Sequence, residues 1–197
     1  MPMIDPIIII IVITIIFSYR GFQDSSFFSK YSGNPYKIKH YKEYHRVLTH
    51  MLLHSDLIHI ALNLFILYSF SDGLNIFFEY TLGNIAPLVM IIFYLLGGIS
   101  GMLPLLKKYG NTPNYTCVGA SGAVSAIMVG YMIAFPNNEI LFFFIPMPAY
   151  ISVVLFFVTE RLMQKYSRAP VAHEAHIGGA VFGGLFVLII RLTSGIL

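Results

Sequence analysis

Long apolar blocks constrain this chain more than any other feature of its sequence. Hydrophobic residues make up 57% of it and charged residues 11%, whereas a soluble domain is about half apolar and about a quarter charged. Backbone polar groups in lipid must pair within their own segment, so the blocks are predicted to be membrane-spanning helices. The blocks are Met3–Tyr19, Asp56–Leu74, Ile85–Leu106, Ser121–Phe135, a segment within Ile140–Met163, and Ala175–Ile196.

Length and charge limit what else the chain contains. Its 197 residues predict one all-α, multi-pass membrane domain over 1–197, surrounded by the lipid bilayer. The net charge of +3 arises from basic residues scattered through loops, so no nucleic-acid partner is expected. The first block lacks a preceding basic segment and a following cleavage site, and we expect a retained helix rather than a signal peptide.

The fourth block is too short to cross a bilayer as a helix. At about 1.5 Å per residue Ser121–Phe135 spans roughly 22 Å, whereas a bilayer core is about 30 Å thick. The run Gly119-Ala120-Ser121-Gly122 resembles a loop, so this end is predicted to begin inside the membrane beside a water-filled cavity. Ser121 would then lie at the floor of that cavity.

The connections between the blocks differ in character. Residues 20–55 are predicted to form a long polar loop with a turn at Ser32–Pro35. Pro146 and Pro148 fall within the fifth block, and proline breaks helix interiors but fits a first turn. We therefore predict that the fifth helix begins near Pro148 and that residues 141–145 lie along the membrane interface.

Polar residues of three separate helices are predicted to meet at one level. The second, fourth and sixth helices run in the same direction, because one returning helix separates each from the next. Their N-terminal ends carry His59 and Asn63, Ser121, and His176 respectively. A polar cluster inside a membrane is a functional-site hypothesis by default.

Acyl transfer is the chemistry that these residues allow. Ser121 is the candidate nucleophile and His176 the candidate base, since a serine hydroxyl needs a neighbouring base to take its proton. Backbone amides at Ala120 and Ser121 can bind a developing oxyanion at the start of the fourth helix. His59 and Asn63 lie four residues apart, so they share a helix face and can both reach that oxygen.

Four motifs follow one another along the chain. They are His50, His54, His59 and Asn63; Glu79 with Gly83; Gly119-Ala120-Ser121-Gly122; and Ala175-His176-Ile177-Gly178-Gly179 with Gly183. In this order the sequence resembles the rhomboid family over essentially its whole length. The resemblance implies a bundle of six transmembrane helices forming one rhomboid protease domain, and an intramembrane serine endopeptidase with a Ser-His dyad. It implies transmembrane-helix proteins as substrates, and supporting roles for Arg46, Glu79, Gly119 and Gly122.

Two positions depart from the family pattern. The family usually carries Trp-Arg before its second helix, whereas this chain reads His45-Arg46 and has no tryptophan. Ser125 stands where the family often has an aromatic residue packed against the catalytic histidine. We therefore expect Ser125 or His173 to orient His176, with no carboxylate as a third member.

Three other functions compete with proteolysis. A rhomboid-like pseudoprotease would bind transmembrane segments without cleaving them, but such proteins lack the serine or the histidine. His173-Glu174-Ala175-His176 suggests a metal enzyme, yet the His-Glu-x-x-His spacing of zincins is absent, so no metal and no cofactor is expected. An inverted-repeat transporter would show a second discontinuous helix, for which the sequence offers no candidate.

Orientation and substrate access give the remaining expectations. The family topology places the protein in a bacterial inner or plasma membrane, with its N-terminus on the cytoplasmic side. All 12 lysines and arginines except Arg191 lie on the cavity side, which the positive-inside rule would place in the cytoplasm instead. We follow the family topology. The fifth helix is the candidate gate, and replacing Phe156 or Phe157 by alanine is expected to speed cleavage if either faces the second helix.

Overall fold

Helices dominate the fold, a computed structural model that describes residues 6–166 and 171–195. Six long helices follow the predicted blocks in order, which confirms the helical membrane bundle. They are α1 (Pro6–Gln23), α5 (Leu57–Leu82), α6 (Ala86–Tyr109), α7 (Ser121–Ala134), α8 (Ala149–Tyr166) and α9 (His173–Thr193). The predicted beginning at Met3 and the predicted end at Ile196 lie outside the described residues.

Three stretches of the described chain are long and apolar enough to cross a membrane. They are Pro6–Gln23, Leu57–Tyr109, which holds α5 and α6, and His173–Thr193. The shorter α7 packs against Gly101 of α6, eight residues before α6 ends at Tyr109. Helix α7 therefore begins about 12 Å below the end of α6, in agreement with the predicted short fourth helix.

The second long helix extends further than its sequence suggested. Its apolar block is predicted to run from Asp56 to about Leu74. In the structure α5 continues to Leu82, since the Asn75 side-chain amide donates to the Glu79 carboxylate at 2.8 Å one turn later. The helix stops at Gly83, whose φ of 63° is the left-handed backbone that favours glycine.

The polar segment between α1 and α5 is largely helical rather than an open loop. It contains α2 (Ser25–Tyr31), α3 (Pro35–Tyr41), α4 (Arg46–Thr49) and a 3-10 turn at His50–Leu52. The predicted turn at Ser32–Pro35 is the start of α3, where Asn34 Oδ1 accepts the Lys37 amide at 2.8 Å. Asparagine before proline is a helix N-cap signal as well as a turn signal, and here the cap prevails.

Arg46 ties this segment together from a buried position. Its guanidinium donates to the carbonyl oxygens of Ser29 and Ser32 at 2.8 and 2.7 Å and pairs with the Glu43 carboxylate. These bonds join the end of α2 to the start of α4. The supporting role expected for Arg46 stays a prediction, to which these contacts give a structural basis.

A two-stranded hairpin precedes α8. Strand β1 (Glu139–Phe142) pairs antiparallel with β2 (Ile145–Pro148), and Phe143 and Phe144 form the turn with φ of 48° and 67°. Both turn rings are exposed, at 70% and 93%. Helix α8 begins directly afterwards at Ala149, which confirms the predicted start near Pro148.

Small residues let α7 approach its neighbours at backbone distance. A Cβ built on Gly179 of α9 would lie 3.0 Å from the Gly122 Cα, and one built on Gly101 would lie 3.2 Å from the same atom. Gly183 faces Ala126 one turn further along, where a Cβ would lie 2.6 Å from the Ala126 Cα. This packing sets the first turns of α7 and α9 side by side.

Candidate active site

Ser121 is the first residue of α7 and follows a constrained glycine. Gly119 has a φ of 121°, and its amide donates to the His50 carbonyl at 2.9 Å. A Cβ at Gly119 would lie 2.9 Å from the His59 Nε2. Glycine is therefore required here both for the backbone conformation and for the approach of the imidazole.

His59 presents its Nε2 toward this loop. Asp56 caps α5 by accepting the His59 amide at 2.8 Å. The Ser55 amide nitrogen lies 3.4 Å from His59 Nδ1, and the Ser55 hydroxyl lies 3.0 Å from the same nitrogen. The Ser55 hydroxyl donates to the Asp56 carboxylate at 2.7 Å, so the contacts of Nδ1 fit either tautomer of His59. Donation to an oxyanion beside Ser121 requires the tautomer with the proton on Nε2.

Asn63 lies one turn after His59 and is buried. Its Nδ2 donates to the His59 carbonyl at 2.9 Å, so one of its two amide hydrogens is used within α5. The second hydrogen is available for another acceptor. The predicted pairing of the two residues on one helix face is thus present.

The Ala120 amide is directed away from the expected oxyanion position. It donates to His54 Nε2 at 3.5 Å, while His54 Nδ1 lies 3.0 Å from the Ser18 hydroxyl, which donates to the Leu52 carbonyl. Burial, together with the nearby His59, lowers the pKa of His54 to about 3, which agrees with a neutral ring accepting the amide. The Ala120 amide thus has an acceptor in His54, whereas the Ser121 amide, at the first position of α7, has no acceptor within its own helix.

A small cavity adjoins Ser121 on the side of α6. It measures about 20 Å³, enough for one water molecule, and His50, Gly101 and Ala175 contribute to its lining. The buried His50 ring lies 3.0 Å from the Arg46 carbonyl through its Nδ1. Burial lowers the pKa of His50 to about 4, so this ring is neutral as well.

His176 is held by a residue that the sequence did not suggest. Its Nδ1 lies 3.1 Å from Glu160 Oε1, and His173 Nδ1 lies 2.7 Å from Glu160 Oε2. Ser125 or His173 was expected to orient His176, whereas the side chain seen against its Nδ1 is Glu160 of α8, and His173 bonds to the same carboxylate. The signal available in the sequence was an ionisable residue in an apolar block.

Ser121 and His176 open two helices that are locked together one turn later. Gly122 follows Ser121, and Gly179, which packs against it, lies three residues after His176. Within the described residues the His176 Nε2 makes no hydrogen bond, which leaves it available to a hydroxyl. A hydrogen bond between a nucleophile and its base often forms or tightens only when substrate is bound.

Glu160, His173 and His176 could also hold a metal ion. They offer one carboxylate oxygen and two imidazole nitrogens within 4.8 Å of one another, a ligand set that suits zinc. The same atoms already form hydrogen bonds, with the carboxylate accepting from both rings. Glu174, the other carboxylate of this region, pairs with Lys108 of α6 instead.

Glu79 does not belong to this site. It lies about 30 Å along α5 from His59, at the opposite end of the helix. Its contact with Asn75 supports the last turns of α5. Any supporting role of Glu79 is therefore confined to the C-terminal end of α5.

These features define a helical membrane protein in which Ser121 and His176 lie in the first turns of two helices that pack against each other. The Rhomboid domain family matches residues 41–193, and the chain therefore belongs to the rhomboid family, whose members are intramembrane proteases. The chain is similar to proteins named presenilin-associated rhomboid-like protein, mitochondrial. It is 26% identical to that of Homo sapiens over 140 residues, 68% of this chain and 35% of the relative, and 26% identical to that of Bos taurus over 136 residues, 66% and 34%.

The chain spans about a third of the length of these relatives. Their names place them in mitochondria, so the expected bacterial inner or plasma membrane has no support from them. The apolar helices indicate a membrane location and do not distinguish one membrane from another.

Proposed function

We propose that this protein is an intramembrane serine endopeptidase in which Ser121 is the nucleophile and His176 the general base. The observation that carries the proposal is the position of Ser121 at the start of α7, between Gly119, which lies against His59, and Gly122, which packs against the first turns of α9. His176 would take the hydroxyl proton as Ser121 attacks the scissile carbonyl. It would then return that proton to the leaving amine, and water would hydrolyse the acyl-enzyme.

The oxyanion formed in this attack would be stabilised by three donors. The Ser121 amide points out of the helix N-terminus, where the helix dipole also favours negative charge. His59 contributes its Nε2 hydrogen, and Asn63 its second amide hydrogen. Donors fixed in advance are more effective than water, because they need no reorganisation during the reaction.

The substrates we propose are transmembrane-helix proteins that reach Ser121 from within the membrane. A helical peptide bond is shielded by its own hydrogen bond and by neighbouring turns, so the substrate must unwind locally. Glycine and proline lower that cost by about 1 and about 3 kcal/mol relative to alanine. We therefore expect cleavage near helix-destabilising residues.

Two serines of α7 provide a matched test of the mechanism. Ser121→Ala is expected to abolish cleavage of a transmembrane reporter substrate and labelling by a fluorophosphonate probe, while the protein stays folded. Ser125→Ala, one turn further along the same helix, should retain both. His176→Ala should be as inactive as Ser121→Ala, and the double variant no worse, because a nucleophile and its base act as one unit.

Near wild-type cleavage by folded Ser121→Ala would exclude this mechanism. Binding of transmembrane segments by the wild-type protein without any cleavage would instead favour a pseudoprotease. The presence of both Ser121 and His176 speaks against that second function.

A further inference from the structure

The carboxylate of Glu160 lies inside the helical bundle, where a charge is costly without partners. Its side chain is 16% exposed, and both of its oxygens face histidine rings. Removing an ionised carboxylate from water costs several kcal/mol unless hydrogen bonds or opposite charges compensate. The proposed Ser121–His176 mechanism gives Glu160 no role, so its position calls for an explanation.

We propose that Glu160 is the positioning residue of His176, so that the site works as a serine–histidine–glutamate triad. This inference rests on the proposed function. Glu160 Oε1 accepts the Nδ1 hydrogen of His176, which fixes the tautomer whose Nε2 is a free acceptor. When Nε2 takes the Ser121 proton, the carboxylate stabilises the resulting imidazolium without itself becoming protonated.

His173 completes the arrangement by holding the other oxygen of the same carboxylate. With Oε2 bonded at 2.7 Å to His173 and Oε1 at 3.1 Å to His176, the carboxylate is fixed at both ends. His173 Nε2 is buried and has no hydrogen-bond partner among the described residues. A buried lone pair on that nitrogen is consistent with the His173 proton being on Nδ1, directed at Glu160.

Helix packing places the carboxylate where this role requires it. Phe156, one turn before Glu160 on α8, is 7% exposed and packs against Val129 of α7 and Ala180 of α9. The face of α8 that carries Glu160 is therefore directed at α9.

A purely structural role is the competing explanation, since Glu160 also joins α8 to α9. Glu174 offers a matched control, because it likewise joins α9 to a neighbouring helix, through Lys108 of α6, without contacting His176. A structural pair should affect stability and activity together. A positioning residue should affect turnover far more than substrate binding or stability.

The test compares Glu160→Gln, Glu160→Asp and Glu174→Gln in the purified full chain reconstituted in liposomes. Cleavage of a fluorogenic transmembrane substrate gives kcat and KM, and thermal unfolding reports folding. We expect Glu160→Gln to lower kcat by on the order of 100-fold or more, as loss of a triad carboxylate does, with KM changed less than about 3-fold. Glu160→Asp should recover part of that loss, and Glu174→Gln should stay within about 3-fold of wild type.

A spectroscopic measurement keeps the inference testable apart from activity. In the inactive Ser121→Ala protein, the Nδ1 hydrogen of His176 should give a low-field proton resonance, because it is bonded to a carboxylate. That resonance should disappear in Ser121→Ala variants that also carry His176→Ala or Glu160→Gln. It should persist with Glu174→Gln.

The outcomes separate the two proposals. If Ser121→Ala is inactive but Glu160→Gln keeps near wild-type kcat, the proteolytic function stands and the role of Glu160 is refuted. If Ser121→Ala still cleaves, the proposed function fails, and the triad inference fails with it. Should Glu160→Gln not fold, absence of the His176 resonance from the Ser121→Ala protein would refute the contact directly.

Discussion

The close approach of α7 and α9 leads to a sharp prediction at Gly179. A Cβ added there would collide with the Gly122 carbonyl oxygen and would lie 2.6 Å from the carbonyl carbon and 3.0 Å from the Cα of that residue. Carbon atoms pack favourably at about 3.5 Å, so Gly179→Ala requires α7 and α9 to separate by at least about 1 Å. The new Cβ would clash with backbone atoms of Gly122, which cannot rotate away as a side chain can.

The expected loss of activity follows from the displacement of Ser121 relative to His176 that this separation would cause. Gly179 lies one turn from His176, and Gly122 is next to Ser121, so the two reacting groups would be displaced relative to each other. A displacement of about 1 Å between catalytic groups can cost about 100-fold in rate. Overpacking of this kind also destabilises by about 1–3 kcal/mol, partly offset by the better helix propensity of alanine, up to about 1 kcal/mol.

Gly184→Ala on the same helix is the matched control. A Cβ there would meet the Val129 side chain at 3.3 Å, a slightly tight contact, and the Ile133 side chain at 3.9 Å, an ordinary one; both neighbours are side chains rather than backbone. Turnover of a transmembrane substrate and thermal unfolding should be measured for both variants. Equal activity of Gly179→Ala and Gly184→Ala would refute the argument that this backbone contact sets the distance between Ser121 and His176.

Two further predictions concern the first motif, which holds His50, His54, His59 and Asn63. His59→Ala and Asn63→Ala should each lower turnover roughly 10- to 1000-fold in folded protein, the effect of losing one oxyanion donor; variants that fail to fold would show a structural role instead. Burial holds the pKa of His54 at about 3 and that of His50 at about 4 in the folded protein. An unfolded histidine has a pKa of about 6.5, so between about pH 6.5 and about pH 4 the unfolded chain binds more protons than the folded one. Stability should therefore fall as the pH drops from about 6.5 to about 4, and pH-dependent unfolding should show a shallower slope in His54→Gln but not in the exposed-site control His40→Gln. An unchanged slope in His54→Gln would contradict the buried neutral state of His54.

The apolar blocks and their lengths were sufficient to predict the helical bundle. Apolar blocks must become helices in lipid, and the shortness of the block at Ser121 led to a helix that begins below the end of α6. The extent of α5 was missed because Asn75 and Glu79 satisfy each other inside the helix. The helices before α5 were missed because Asn34-Pro35 signals a cap and a turn equally well.

Sequence reasoning could likewise predict the parts of the site that lie close together in the chain, but not the contacts between separate helices. Gly119, Ser121 and Gly122 form one local motif, and His59 and Asn63 are neighbours on one helix face, so sequence reasoning could place them. The contact of Glu160 with His176 joins two helices at a depth that depends on how Phe156 packs. The use of the Ala120 amide by His54 depends on Ser18 of α1, which no spacing within the motif reveals.

Helix α8 is the element for which the structure changes the functional argument most. It is the candidate gate, and replacing Phe156 or Phe157 by alanine was expected to speed cleavage if either faces the second helix. Phe156 instead packs against Val129 and Ala180, so its removal should open a cavity in the bundle rather than speed cleavage. Glu160 on the same helix bonds to His176, and a hydrogen bond to a charged group contributes about 1.5–3 kcal/mol. An outward movement of the whole of α8 would break that bond and leave the base without its carboxylate. We therefore expect substrate to enter while the Glu160 end of α8 stays in place against α9.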